Sequence, residues 1–185
     1  MPRGAGYGNN AGSLPLTKKK VPCFTTKGLP QGSVPEFDRQ LAGQEAGIND
    51  MTVEEYVKGR AAFESGDAVR DPSVARNARA EYQTALETEL RQEYQVKGLS
   101  AKEADKKAAE TAVEKLKTLA ALHNPDMVVG GMDKISDFGA RDINSRIGAQ
   151  WNKGQRLEGL DRAASEVPEH MRGSTKMNAQ LERCK

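Results

Sequence analysis

Aromatic side chains are scarce in this sequence, 5% of 185 residues, so its core must rest on Ala, Leu, Val and Ile. Cysteine is scarcer. Cys23 and Cys184 stand near opposite ends, in no CxxC unit and with no metal-ligand spacing around them. That pattern argues against a disulfide framework or a zinc site and for two incidental thiols. No run is long or apolar enough to span a membrane, and none is expected to insert in one. The start, MPRGAGYGNNAGSLPLTKKK, lacks the apolar stretch of a secretory signal. Acidic residues are missing from the first 35 positions, which hold Arg3, Lys18, Lys19, Lys20 and Lys27, so the remainder is slightly acidic within a net charge of +2. This excludes a wholly basic coat for nucleic acid and leaves a local patch or the KKK segment.

What is present is helical periodicity. Residues 1–34, rich in Gly, Pro, Asn, Ser and Lys, read as a flexible basic linker or arm, with VPCF a short docking point. Residues 35–166 read as a helical domain and residues 167–185 as a polar, mobile tail. In the domain, Phe37, Leu41 and Ile48 share one helix face. Thr52 and Glu55 form a capping box for a second helix with Val53, Tyr56, Val57 and Phe63 as its stripe. Asp71 and Pro72 open a third helix, with apolar positions every fourth residue from Val74 to Tyr94, and Gly98 ends it. Ser100 and Glu103 start a fourth, which is expected to run through Leu116, Leu119 and Ala120 to His123. Ile143, Ile147 and Trp151 mark a fifth, and residues 155–165 a sixth. No segment shows convincing strand alternation, and MVVGG alone looks β-like. The expected fold is all-α, about five to six helices in one multi-helix domain.

The segment LHNPDMVVGG, residues 122–131, breaks the helical pattern. Pro125 disfavours helix at Asn124, and an Asn-Pro-Asp turn would bring His123 within reach of Asp126. Histidine titrates near neutral pH and can move a proton between water and a leaving group. A neighbouring carboxylate can orient it or bind a divalent cation. From spacing alone a satisfied core histidine and a plain turn account for the same residues, and more readily.

LHNPDMVVGG followed by INSRIGAQW resembles the polymorphic toxin type 15 domain, a bacterial nuclease toxin family with an all-helical fold and an HxxD motif. The similarity extends to EFDRQLAGQEAGINDMTVEEYVKGRAAF and GLSAKEADKKA, covering roughly residues 21–164. It implies a metal-dependent endonuclease, with Mg²⁺ as the expected cofactor, that degrades DNA of rival bacteria. It further implies delivery as a secreted effector on a larger carrier or by a type VI secretion apparatus. The target is the cytoplasm of the attacked cell, and a cognate immunity protein holds the toxin in the producer. His123 and Asp126 match the HxxD pair, with Asp126 the expected metal ligand. Asn144, Ser145, Gln150 and Trp151 match the downstream motif. Asn144 and Gln150 are candidate contacts to phosphate or to a metal-bound water, or ordinary helix polarity. Trp151 is expected in the core. Arg60, Lys134 and Arg141 are candidate basic contacts to substrate, or solvated surface. His170 receives no role. An RNase using the same site, or a non-catalytic helical adaptor, are the alternatives.

Overall fold

Three helix starts, those at Val53, Pro72 and Ala101, fall where capping residues place them. In the computed structural model, which describes residues 15–185, α1 spans Val34–Asp50, α2 Val53–Ser65, α3 Pro72–Val96 and α4 Ala101–Lys117. The remaining helices are α5 (Arg141–Trp151), α6 (Arg156–Ser165) and the one-turn α7 (Glu169–Arg172). Thr52 and Ser100 each close a capping box with the glutamate three residues on, satisfying backbone donors that a helix start leaves open. Asp71 caps α3 by accepting from the Ser73 amide at 2.8 Å, and Gly98, at φ +93°, turns the chain left-handed into α4. The all-α class holds, with four short strands added: β1 (Lys19–Lys20), β2 (Leu119–Leu122), β3 (Asp137–Ala140) and β4 (Ala179–Gln180).

The main core gathers Phe37, Ile48, Tyr56, Ile143, Trp151 and Leu160 from α1, α2, α5 and α6. Trp151 is fully buried, as expected, and meets Phe24 edge-on at 4.9 Å. Phe63, expected inward on α2, is 39% exposed instead. The α3–α4 pair carries its own small cluster around Leu90, Ala108 and Ala112. It joins the body where Tyr82 stacks on Phe138 at 4.5 Å. Glu36 on α1 ties in β3. It accepts from Arg39, Gln40 and the Ala140 amide, and the Arg39 guanidinium foremost holds its carboxyl down at about 2.

Three expectations are corrected. First, α4 stops at Lys117, and Leu119–Leu122 is not helix but a strand paired antiparallel with β3, Leu119 opposite Ala140 and Leu122 opposite Asp137. The Arg79 guanidinium binds the Leu116 and Leu119 carbonyls at 3.0 and 3.1 Å, and the Arg141 amide binds that of Thr118 at 3.0 Å. Carbonyls that a longer helix would have used are thus engaged from elsewhere, and tertiary pairing overrides the helix propensity of LAAL. Met127–Val129, likewise, is a 3-10 turn and no strand.

Second, residues 15–34 are no free arm and 167–185 no mobile tail. β1 and β4 pair in parallel, Lys19 opposite Ala179, while Val21, Phe24, Met177, Ala179 and Leu181 are buried in the core. Thr175, Met177, Ala179 and Leu181 are buried at every second position, a period-two signal in the tail that marks a half-buried strand. The part of the expected arm in residues 1–14 lies outside the described residues. Third, Cys23 and Cys184 are joined in a disulfide. Their separation of 161 residues hides the fact that β1 and β4 lay the two ends side by side.

Candidate active site

The strand pair β2–β3 brackets the connection 123–136, and this connection lies directly on α1 and α2. Two helical glycines make that approach possible. A Cβ on Gly47 would sit 2.4 Å from the Asn124 carbonyl, and one on Gly59 would sit 2.1 Å from the Gly130 oxygen, so only hydrogen fits at either place. Gln44, buried on α1, fastens the loop. Its Nε2 donates to the His123 carbonyl at 2.7 Å, and its Oε1 accepts from the Asp126 amide at 2.8 Å. The Asn124–Pro125 bond is cis, and Gly130 turns back at φ +84°. Arg60 Nη1 holds the Val128 carbonyl at 2.8 Å. Functional side chains carried by this loop therefore stand on a fixed frame.

His123 leaves the end of β2 with 9% of its side chain exposed, and its Nε2 lies 2.8 Å from Asp133 Oδ1. The carboxylate beside the ring is thus Asp133, ten positions on, and not Asp126 as the turn suggested. Asp126 is used differently. Its Oδ1 accepts from the Val128 amide at 3.2 Å, capping the 3-10 turn, and lies 3.7 Å from Arg70 Nη2. Its Oδ2 points to α5, 3.8 Å from where a Cβ on Gly148 would be. Asp133 Oδ2 also accepts from the Asp71 amide at 2.6 Å, which fastens the start of α3 to the site. The bond to His123, then the one to Asp71, lowers the Asp133 carboxyl below its ordinary range. Arg70, 62% exposed beside Asp126, is a cation that sequence reasoning missed. It sits in a connection with no motif, and only the fold brings it to the loop.

The other expected site residues scatter. Asn144, half-buried, lies one helical turn before Gly148 and so on the α5 face that meets Asp126. Gln150 lies elsewhere: its amide bonds both backbone groups of Thr25, at 2.7 and 3.1 Å. Arg60 is not the solvated arginine expected. It is 8% exposed, and its guanidinium makes paired 2.9 Å bonds to Asp161 and a 2.5 Å bond to Glu64. Asp161 is the main cause of a pKa raised above the ordinary arginine value. Arg141 is exposed, with Nη2 3.3 Å from the Leu119 carbonyl. Lys134 is exposed on the rim of a groove of about 670 Å³ that Met51, Pro125, Met127 and Asp133 also line.

Among the described residues no three His, Cys, Asp or Glu side chains gather as a metal-holding group. Both Asp133 oxygens are engaged, and Asp126 Oδ2 is the carboxylate oxygen of the loop that no described donor meets. A closed protein cage does not fit this donor set. A hard ion that keeps its waters and shares one carboxylate with substrate phosphate does.

No curated protein matches the chain. A family model described as Novel toxin 15 matches residues 31–184, which takes in the candidate loop and the C-terminal strand alike. With most of its length matched, from the turn before α1 to Cys184, the chain belongs to this family of polymorphic toxin domains.

Proposed function

We propose that this toxin-family domain is an antibacterial nuclease, a DNase that hydrolyses phosphodiester bonds in the DNA of a target cell. The observation that carries the reading is the histidine–carboxylate pair of His123 and Asp133, 2.8 Å apart, on the rigid loop that also presents Asp126, with Arg70 brought beside it from the connection between α2 and α3. His123 takes a proton from water as the water oxygen bonds to phosphorus. The P–O bond opposite breaks, and the proton passes to the departing oxygen. Arg70, largely in solvent, meets the phosphate, a contact whose strength falls with salt. Asp126 is the residue that would hold a divalent ion such as Mg²⁺, whose charge when bound would offset that of the phosphate. Asn144 faces the same space from α5. Gln150 and Arg60, held in structural bonds, take no part in this mechanism, and Lys134 and Arg141 stand at its edges.

In the same reading the domain reaches the cytoplasm of the attacked bacterium as part of a secreted effector, on a larger carrier or a type VI apparatus. A cognate immunity protein restrains it in the producer. No helix among the described residues is long and apolar enough to cross a membrane. The test incubates purified protein with plasmid DNA and with total RNA, in Mg²⁺ or EDTA, beside His123→Ala and Asp126→Ala. Loss of plasmid in Mg²⁺ alone, absent in both variants, is expected. Loss of RNA alone would move the substrate to RNA, and equal cleavage by wild type and variants would sink the assignment of the site.

A further inference from the structure

We infer that Asp133 is the positioning residue of the site: it accepts the His123 Nε2 proton and so leaves Nδ1 as the nitrogen that receives the proton from water. This rests on the nuclease reading for its consequence, though not for its geometry. An imidazole that is neutral carries one N–H, and the group facing each nitrogen decides which. Here Nε2 faces Asp133 Oδ1 at 2.8 Å. A carboxylate only accepts, so Nε2 must donate. Asp133 stays in that accepting form because its other oxygen takes the Asp71 amide at 2.6 Å. The two bonds together also fix the ring plane, since Asp133 cannot turn without losing Asp71. Among the described residues no group bonds Nδ1, which is therefore the lone pair open to a water.

The Asp71 amide makes the inference testable by one isosteric change. In Asp133→Asn the side chain has a single acceptor oxygen. The Asp71 N–H, also a donor, claims it, and the new NH₂ group turns to His123 Nε2. Nε2 must then accept, and the proton moves to Nδ1. The reacting nitrogen is blocked while shape and contacts are kept, the effect that a wrong tautomer has in a catalytic triad.

The experiment reads the ring nitrogens of ¹⁵N-labelled full-length protein by NMR above the histidine titration range. His123→Ala separates the signals of the two histidines in the sequence. Wild type is expected as the Nε2–H tautomer. Asp133→Asn is expected as Nδ1–H, with an unchanged far-ultraviolet spectrum and plasmid cleavage reduced on the order of 100-fold. Wild-type protein found as Nδ1–H overturns the inference without recourse to any variant, so a poorly folding mutant does not shield it. A folded Asp133→Asn that keeps Nε2–H and full cleavage also overturns it, while leaving the nuclease reading intact if His123→Ala is inactive. If His123→Ala cuts as fast as wild type, the assignment of the site fails and the positioning role of Asp133 in cleavage falls with it. The tautomer measurement still decides the pairing.

Discussion

The α3–α4 hairpin and the body that carries the candidate loop are held together by different means. The hairpin is local. Asp71 and Pro72 start it, Gly98 turns it, and the Ser100–Glu103 box restarts it. Its two helices meet through Leu90, Ala108 and Ala112, with Tyr94 reaching Thr111 at 3.0 Å. Much of it faces water, including Val96 at 89% exposure. The body depends on partners far apart in sequence: Gln44 with His123, Arg60 with Asp161, Gln150 with Thr25, Cys23 with Cys184. Propensity and capping suffice for the first region. In the second, glycines that would weaken an isolated helix are kept because a loop needs their empty side.

Three changes would break or sharpen this contrast, taken from the largest expected effect. Replacing Cys23 and Cys184 together by serine removes a link that closes 161 residues of chain, with an expected loss of about 4 kcal/mol and a fall in Tm of roughly 10 °C. Reducing agent should bring wild type to the same Tm. Amide exchange should quicken in β1 and β4 before it changes in α4, and uniform quickening would make the two regions one cooperative unit. Next, Gly59→Ala is expected to destabilise by about 2 kcal/mol through overlap with Gly130. In an open helix the same change would stabilise by about 1 kcal/mol, so a higher denaturation midpoint for the variant would show that the loop does not rest on α2. Smallest, Ser100→Ala should cost about 1 kcal/mol, read as faster exchange in the first turn of α4. Plasmid cleavage should be unaffected, and a matching loss of cleavage would tie the hairpin to the site more closely than the Tyr82–Phe138 stack and the Asp71–Asp133 bond do.

The same contrast explains which parts were legible in the sequence. Capping residues act within four positions, so helix starts at Val53, Pro72 and Ala101 could be read from Thr52, Asp71 and Ser100. The end of α4 could not, because nothing in LAAL itself favours a strand. Its pairing with β3 depends on residues 137–140 and on Arg79. The alternation of Thr175, Met177, Ala179 and Leu181 was available as a signal, yet polar neighbours and short length masked it, and with it the disulfide. At the candidate site, His123 and Asp126 stood out because an Asn-Pro-Asp turn interrupts a helical pattern. Asp133 and Arg70 did not, since each lies in a connection with no spacing relation to the histidine.

The sequence by itself determined the all-α class, the starts of α2, α3 and α4 and the place where the chain must turn, because propensity, capping and proline act on neighbours along the backbone. Tertiary structure alone decided which carboxylate meets His123, which arginine faces Asp126, and that the two ends of the domain lie together. Those choices depend on side chains brought into contact across 10 to 161 positions, a distance over which the backbone carries no local preference.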